Sequence, residues 1–589
     1  MTSTAYRLTS TLLLILAAAL MILAAEAFGA PNFRSAKVRA NVPVVSSGYY
    51  TLPEANQTAW QANVIQGIPG GIPARTTHVT NAVTAFSADN TGATATQAAI
   101  VNALAASPSN GAVLLPTGRY RIDGSIGVYS GVTVRGSGMT NTILSNTVSV
   151  FSADVDSSST WNNIYKAHEV TAGLTNGSTN LSVTWNPTMN PFGIGHAIMI
   201  GAWCSSNQND NPLYMNLVGE FNTNSIYSMP LKSIHVCTST NANGLTFWPP
   251  LPFNYPTNYN GRVAPHSTAP GGAGYSRRTM FGLEDLTLDY TGSSVTEGIN
   301  WIGVENCWLK NVRILFPQNR AVYIANAHNV EVRGCELRMS PAVAANHAGL
   351  ELDLVSFGLF ENNLIVDSFP GIQNNGGIAG IFGYNYVWRN DSYDVIVGNH
   401  GTVGHSAHNL YEGNIANRSK VNDGYFGSAS ADVYFRDHLH AANSNNAAAD
   451  AVVIKRFTRQ TLFIGCVFGK TNQTVTYPML GEPFGSPNTG NTNYTLPAAP
   501  PWADWLLGGK STADWQELDG GAAPTIVGCW NYFSNAVDTA LGSQLLSNSL
   551  YLSAQPSFVW RWPLVQPTSP DFNWTNMAAG AAWTNGGWN

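Results

Sequence analysis

A short pattern recurs through the middle of the chain and restricts the folds available to it. Each copy has an apolar residue, any residue, a small or polar residue, and then Asn or Cys, with His once. The copies are "VENC" from Val304, "VRGC" from Val332, "FENN" from Phe360, "FGYN" from Phe382, "YEGN" from Tyr411, "FRDH" from Phe435, "FIGC" from Phe463 and "IVGC" from Ile526. The first seven begin 22 to 29 residues apart. A repeat this short cannot enclose its own core, so neighbouring copies must stack.

The residue types of the repeat favour one coil of a parallel β-helix per copy. Val, Ile and Phe alternate with polar residues as in strands, and Asn and Gly mark the turns. Helical repeats would need two amphipathic helices per copy, which this Gly and Asn content opposes. Charged residues make up only 11% of the chain and hydrophobic residues 44%. That mix is typical of a turn-rich, β-rich extracellular protein.

Stacked coils would align equivalent residues about 4.8 Å apart. The fourth positions then predict an inward ladder of amides and small side chains, namely Cys307, Cys335, Asn363, Asn385, Asn414, His438 and Cys466. The second positions predict an outward ladder of exposed charges, namely Glu305, Arg333, Glu361, Gly383, Glu412 and Arg436. We expect Cys307 and Cys335 to be packed thiols. Among the six cysteines, Cys204 and Cys237 are the preferred disulfide pair.

The segment "FSADNTGATATQAAIVNALAASPSNGAVLLPTGRYRI", residues 86–122, resembles the entry segment of the pectate-lyase-like superfamily. The resemblance implies an all-β, right-handed parallel β-helix, capped by an amphipathic helix at about residues 94–105. "GVTVRGSG" from Gly131 resembles the next coil. The superfamily includes polysaccharide lyases, glycoside hydrolases, epimerases, tailspikes and adhesins. The acidic motifs of polygalacturonases and the "WIDH" and "RxPxxR" motifs of pectate lyases are missing here, so no mechanism is carried over.

The rest of the chain divides around this repeat. Arg7, an apolar run over residues 12–25 and "AEA" ending at Ala27 predict a secretory signal peptide. The lapse of the repeat after about residue 150 predicts a small β insertion, and more than half of the 17 tryptophans lie near the C-terminus. The predicted organisation is a signal peptide (1–27), an N-terminal arm (28–85), a capping helix with the first coils (86–150), an inserted β subdomain (151–275), the main coils (276–470), and a last coil with a Trp-rich cover (471–589).

The composition limits the kinds of molecule that we expect this protein to bind. The net charge of −6 offers nothing to nucleic acid, and no segment after the signal peptide is long enough to span a membrane. We therefore expect a secreted, extracellular or periplasmic protein.

Three histidines lie close together in "NHGTVGHSAHNLYEGN", but the repeat assigns His405 and His408 to a polar loop. This leaves His400 as a site candidate, and no metal site is predicted.

The outward face of one strand offers the best candidate site. In "GLELDLV", Leu350, Leu352 and Leu354 should point inward, so that Glu351 and Asp353 point outward together. Two residues along a strand span about 6.5 to 7 Å, near the lower limit for inverting glycosidases. The predicted catalytic residues are Glu351, Asp353, Asp423 and His400. The predicted substrate-binding residues are Tyr323, His347, Gln373, Asn375, Arg436 and Lys455, and Asn300 should share the same face.

These residues predict an enzyme that acts on a polysaccharide, in the first place a glycoside hydrolase without a cofactor. One carboxyl would stay protonated as the general acid, and the other, or Asp423, would activate water. A polysaccharide lyase is the first alternative; it would need Ca²⁺ and a basic residue such as Arg436, Lys455 or Arg456. The second alternative is a surface β-helix that binds glycan without cleaving it.

Overall fold

The computed structural model describes most of the first two thirds of the chain and short pieces beyond it. The described residues are 66–154, 167–186, 193–203, 231–255, 260–265, 277–340, 347–388, 396–398, 405–417, 419–421, 429–439, 451–454, 460–468, 505–506, 525–527, 530–531, 536–537 and 550. The predicted signal peptide, Cys204, His400, Asp423 and Lys455 lie outside these residues.

The fold is a right-handed parallel β-helix with three sheets, as predicted. Sheet 1 contains Val79–Asn81, Ala112–Leu114, Thr133–Arg135, Glu331–Arg333, Leu359–Glu361, Ile381–Gly383, Leu410–Glu412, Val433–Phe435, Leu462–Ile464 and Thr525–Val527. Sheet 2 contains Thr91–Ala95, Gly118–Ile122, Thr142–Asn146, Glu336–Arg338, Leu364–Val366, Tyr386–Trp388, Ile415–Ala416, His438–Leu439, Val467–Phe468 and Trp530–Asn531, with Ala536–Val537 antiparallel at its end. Two longer strands, Gly282–Asp289 and Trp308–Leu315, run through both sheets.

Sheet 3 forms the remaining side of each coil. It contains Ala153–Asp154, Glu297–Ile302, Arg320–His328, Ala348–Ser356, Ile372–Asn375, Ile396–Gly398, Ser419–Lys420 and Val452–Ile454, with Trp505–Leu506 antiparallel at its end. Short strands lie beside its carboxyl ends, namely Arg278–Thr279, Val304–Glu305, Ser406–Ala407 and Ala429–Ser430.

Aromatic rings stack through the core from coil to coil. Phe360, Phe382, Tyr411, Tyr434 and Phe463 occupy one inward row of sheet 1, with ring centroids 5.0, 4.8, 4.6 and 4.7 Å apart along the row. Each lies directly opposite its neighbour in the strand register. The spacing matches the distance between parallel strands, so these aromatic residues fix the register of the coils.

The inward amide ladder exists, with two corrections at its ends. Asn363 donates its side-chain amide to Oδ1 of Asn385 (2.9 Å), and Asn385 donates likewise to Asn414 (3.0 Å). The next member is Asp437 and not His438, because Tyr434 and not Phe435 pairs with Tyr411. At the other end, Trp308–Leu315 pairs with the strands that precede and follow Cys335, which aligns Val312 with Cys335. Cys307 is therefore outside the ladder, although it and Cys335 are buried free thiols as expected.

The predicted ladder of charges on sheet 1 exists at one pair, Arg333 with Glu361 (2.6 Å), where the Arg333 side chain is 40% exposed. The later members are not exposed as predicted, because this face is covered there. Glu361, Glu412 and Arg436 are only 3%, 0% and 1% exposed. The backbone N–H of Leu550 donates to Glu412 Oε2 (2.9 Å), and the Tyr384 hydroxyl donates to its Oε1 (2.5 Å). Burial lowers the pKa of Arg436 to about 10.

The N-terminal arm covers the same face at earlier coils. The Ile68 N–H donates to Glu331 Oε2 (3.1 Å), and the Asn329 side chain donates to the Gly67 carbonyl (3.0 Å). Further along, the Arg75 guanidinium donates to Thr133 (3.0 Å) and lies 5.1 Å from the Trp308 ring centroid. Residues of the N-terminal arm and Leu550 therefore cover parts of the outward face of sheet 1.

Two helices and one barrel complete the described fold. The helix Gln97–Ala106 lies where the entry segment predicts it and buries Ile100, Ala103 and Leu104, and a shorter helix, Ala82–Phe86, precedes it. No helix within the described ranges is long and apolar enough to cross a membrane. The insertion is a closed antiparallel barrel of His168–Ala172, Asn180–Thr184, Ala197–Trp203, Leu231–Asn241, Gly244–Trp248 and Asn260–Pro265.

The barrel packs against the turns that follow sheet 3. Its core continues into Phe357, Ile378 and Ala407 of the coil. His408 stacks on Phe253 with ring centroids 4.1 Å apart and an interplanar angle of 11°. The assignment of His405 and His408 to a polar loop is therefore wrong: His405 is buried and contacts Ser430 (2.6 Å), and His408 is partly buried with its ring against the barrel. The disulfide predicted for Cys237 is also wrong, because Cys237 is a free thiol in the barrel core.

Candidate functional site

The outward face of sheet 3 brings two predicted carboxylates together. Leu350 and Leu352 point into the core, as their alternation with Glu351 and Asp353 predicts. The alternation ends at Leu354, which has a φ of 52°, and Val355 takes the next core position instead. Glu351 and Asp353 are 8% and 9% exposed, so each keeps a small accessible surface.

The strand register places polar residues beside this pair. Asn300, Tyr323, Glu351 and Gln373 lie directly opposite one another on four consecutive strands. Asn375 lies opposite Asp353 one row further along the strands. The coils therefore align the residues that the sequence placed on one face.

Arg320 links the carboxylates, and the sequence did not single it out. Its Nε donates to Glu351 Oε2 (2.5 Å), and its Nη1 contacts Glu297 Oε1 (3.2 Å). The guanidinium carbon lies 4.6 Å from the centroid of the Tyr323 ring. A guanidinium with two carboxylate partners and an aromatic support is held in one position, and it favours the ionised form of Glu351.

Asp353 has a different environment from Glu351. The Tyr323 hydroxyl donates to its Oδ2 (2.8 Å), and the Asn375 side-chain amide donates to its Oδ1 (2.6 Å). Burial raises the pKa of Asp353, against the opposing effects of these two hydrogen bonds and of Arg320. Burial and the nearby Asp353 also raise the pKa of Tyr323, so that its hydroxyl keeps its proton.

Two amides on the same face have no partner within the described part of the chain. Asn300 Oδ1 is buried and accepts no hydrogen bond. The Gln373 side chain makes no hydrogen bond either, although the residue is only 7% exposed. Asn300 and Gln373 therefore flank Tyr323 and Glu351 with amide groups that the described part of the chain does not engage.

The remaining predicted residues lie elsewhere or outside the described ranges. His347 precedes the strand of Glu351; burial lowers its pKa, and its buried Nδ1 has no hydrogen-bond partner. Arg436 is not on this face, because it is buried beneath sheet 1. From Gln373 the backbone register continues to Val397, Lys420 and Val453. These positions differ from His400, Asp423 and Lys455, whose placement the structure does not describe.

This arrangement contains the parts of an acid–base pair. Glu351 is paired with a cation, and burial raises the pKa of Asp353, two residues along the strand. Two carboxyl groups in different environments are what general acid–base catalysis requires. Within the described ranges, no three His, Cys, Asp or Glu side chains are grouped to hold a metal ion.

The fold and this face define a class of protein, a parallel β-helix with a polar site on one outer sheet. Residues 79–228 match the family model described as "Rhamnogalacturonase A/epimerase, pectate lyase-like". The coil and this match place the chain in the pectate-lyase-like superfamily. No curated protein matches the sequence.

Several solved structures are similar to this chain at low sequence identity. The tailspike protein gp49 from Pseudomonas phage LKA1 is 13% identical over 66% of this chain and 64% of its own, with a TM-score of 0.42. The mannuronan C-5 epimerase AlgE4 A-module from Azotobacter vinelandii is 12% identical over 66% of this chain and 87% of its own, with a TM-score of 0.32. The adhesin PfbA from Streptococcus pneumoniae is 9% identical over 66% and 88%, with a TM-score of 0.33. This chain thus spans less than two thirds of the gp49 tailspike.

Proposed function

We propose that this protein is an exported polysaccharide-degrading enzyme, a glycoside hydrolase whose site is the outward face of sheet 3. The observation that carries the proposal is the contrast between Glu351, held by Arg320 at 2.5 Å, and Asp353, whose burial raises its pKa. The family model that matches residues 79–228 includes a rhamnogalacturonase in its description, which agrees with this proposal.

Asp353 is the general acid in this mechanism. The Asn375 amide can only donate to Oδ1, whereas the Tyr323 hydroxyl at Oδ2 can turn and accept, so the proton of the neutral acid belongs on Oδ2. From Oδ2 the proton passes to the glycosidic oxygen as the bond to the leaving sugar breaks. The buried setting that raises the pKa of Asp353 keeps this carboxyl protonated at a higher pH than an exposed aspartate.

Glu351 is the ionised partner. Its separation from Asp353 by two residues of strand, about 6.5 to 7 Å, leaves room for a water molecule and favours inversion over retention. Glu351 accepts a proton from this water as the water oxygen bonds to the anomeric carbon and the bond to the leaving sugar breaks, and its charge stabilises the positive charge that develops on the sugar. Arg320, itself paired with Glu297, holds the carboxylate in position.

The test is product analysis on a panel of polysaccharides with the wild-type chain and three variants. Hydrolysis predicts new reducing ends without the ultraviolet absorbance of unsaturated uronides. Asp353→Asn and Glu351→Gln should each lower the rate by about 10²-fold or more. Glu336→Gln is the matched control: it removes a carboxylate that pairs with Arg313 at 2.7 Å on sheet 2, and activity should persist. Unsaturated products, or full activity in both site variants, would contradict the proposal.

A second candidate is glycan binding without cleavage. The observation that favours it is the pair of uncommitted amides, Asn300 and Gln373, because a binding face needs such groups and no acid. Glycan binding that is retained in Asp353→Asn, with no product from the wild-type chain, would select this function.

A further inference from the structure

The charges and amides on the outward face of sheet 3 differ in whether they already have partners. Arg320 uses Nε and Nη1 for Glu351 and Glu297, and its plane lies against Tyr323. Nη2 takes part in neither pair, but a carboxylate on an incoming sugar would share the single charge of this guanidinium with two fixed carboxylates. Such competition is unfavourable, because the existing pairs are partly buried and held within the fold.

The net charge around Arg320 also disfavours a uronate. Arg320 contributes one positive charge, while Glu297 and Glu351 contribute two negative charges. Asp353 adds no negative charge when it is protonated. A uronate bound here would meet a net negative charge at a distance of a few ångströms, which disfavours its binding.

The neutral groups, by contrast, are available. Asn300 Oδ1 can accept a hydrogen bond, and the Gln373 amide can both donate and accept. They lie in one row on either side of Tyr323 and Glu351, so they face consecutive parts of a bound chain. Sugar hydroxyls, which also donate and accept, match these groups.

Resting on the proposed function, we infer that the sugar bound between Asn300 and Gln373 is neutral and is recognised through its hydroxyls. The site therefore selects against uronates, whose carboxylate finds no unpaired cation at Arg320. An esterified or carboxyl-reduced uronan counts as neutral in this sense, because the excluded feature is the charge.

The experiment compares each uronan with its own carboxyl-reduced form, so that linkage and length are constant. Binding of polygalacturonate, alginate and glucuronan oligosaccharides and their reduced counterparts, together with neutral galactan and glucan oligosaccharides, is measured by calorimetry with the Asp353→Asn chain. We expect neutral ligands to be bound, with the reduced form of a recognised uronan at least about tenfold tighter than the uronate. Equal or tighter binding of the uronate would overturn the inference, as would failure to bind any neutral oligosaccharide.

Variants test whether Arg320 causes the preference for neutral sugars. Releasing Arg320 by the double change Glu297→Gln and Glu351→Gln should reduce the preference for the neutral form several-fold, because an unpaired guanidinium then faces the ligand. Glu336→Gln should leave the preference unchanged, since its partner Arg313 is on sheet 2. Gln373→Ala should weaken neutral binding several-fold without lowering the melting temperature. An unchanged preference in the double variant, or unchanged affinity in Gln373→Ala, would contradict the assignment.

The outcomes separate this inference from the proposed function. If the wild-type chain hydrolyses uronates and binds them best, the function stands and the neutral selectivity fails. If the chain binds neutral oligosaccharides but releases no product, the selectivity stands and the hydrolase fails.

Discussion

Asn414 donates both its backbone N–H (2.6 Å) and its side-chain amide (2.9 Å) to a single oxygen, Oδ1, of Asp437. The other oxygen, Oδ2, is buried and has no hydrogen-bond partner. In Asn414 the equivalent atom is Nδ2, which also donates to the Phe382 carbonyl (2.8 Å). At this position the asparagines of the ladder have an N–H donor, whereas Asp437 has a carboxyl oxygen. Protonation of Oδ2 supplies the missing donor.

A second ladder ends in the same way. Asn409 donates its backbone N–H (2.9 Å) and side-chain amide (3.1 Å) to Oδ1 of Asp432, whose Oδ2 also has no partner. Burial raises the pKa of Asp432 to about 7 and the pKa of Asp437 well above its ordinary value. Both acids belong to the coil that contains Val433–Phe435.

We predict that these two acids make the coil more stable in acid than at neutral pH. Their pKa values are higher in the folded chain than the unfolded value of about 3.9, so their contribution is complete below about pH 4. It is lost as pH rises, through about 7 for Asp432, by about 1.4 kcal/mol per pH unit for each group. Denaturant unfolding at a series of pH values measures this slope.

The double change Asp432→Asn and Asp437→Asn isolates the contribution of the acids. Each asparagine supplies the missing donor, so we expect a gain of about 1 to 3 kcal/mol at pH 7.5 per site and a flatter dependence on pH. A destabilised double variant, or one with the pH slope of the wild-type chain, would show that the acids do not replace asparagines in this way.

The ladders also show how far the sequence predicts this fold. Asn363, Asn385 and Asn414 recur at the coil length, so the sequence alone identifies their row. The repeat pattern predicts Phe435 at the inward position, but the structure has Tyr434 there, one residue earlier. Either of two adjacent aromatics can fill this position, and only stacking on Tyr411 decides between them. Periodicity therefore predicts the fold well but leaves single-residue shifts open.

The site was predictable in part for a similar reason. Alternation in "GLELDLV" places Glu351 and Asp353 on the outer face without knowledge of the other coils. Arg320 could not be identified this way, because its role depends on two other strands that bring Glu297 and Glu351 to it. Burial of Glu412 was also hidden, since its partner Leu550 is 138 residues away in the sequence.

Arg75 should anchor the N-terminal arm on sheet 1. Arg75→Ala removes the hydrogen bonds to Thr133 and the Met280 carbonyl and the contact with Trp308. We expect a loss of about 2 to 4 kcal/mol in the free energy of unfolding, because these buried acceptors lose a charged donor. The control is Arg121→Ala, which removes an exposed pair with Asp123 and should change stability little. Equal effects of the two substitutions would show that the arm contributes nothing through Arg75.

Acid should loosen the barrel from the coil. Burial lowers the pKa of His235 and His408 to about 3, whereas an unfolded histidine titrates near 6.5. Their stabilising contribution is therefore present above about pH 6.5 and is lost as the pH falls, opposite in sign to that of the buried aspartates. Hydrogen exchange, corrected for intrinsic rates, should show lower protection of Ala197–Trp203 and Leu231–Asn241 at about pH 5 than at pH 7, with Gly118–Ile122 unchanged.

The contact between His408 and Phe253 provides a test at neutral pH. His408→Asn removes the stacked ring but tolerates the φ of 56° at this position. Protection of the barrel strands should fall at pH 7, while the coil strands keep theirs. If the barrel strands exchange as slowly as in the wild-type chain, the stacking does not hold the barrel in place.

Tyr323→Phe should change the pH dependence of catalysis more than the stability of the fold. The Tyr323 hydroxyl donates to Asp353 Oδ2 and so favours the ionised carboxylate; its removal raises the pKa of Asp353 further. A general acid with a higher pKa stays protonated to higher pH, so the alkaline limb of kcat/KM should move upward by about 0.5 to 1 pH unit. Full pH–rate profiles on a cleaved substrate measure this shift, with Tyr120→Phe on sheet 2 as the control for loss of a tyrosine hydroxyl. A downward shift would indicate that Asp353 acts in its ionised form, and an unchanged limb would remove Asp353 from the role of general acid.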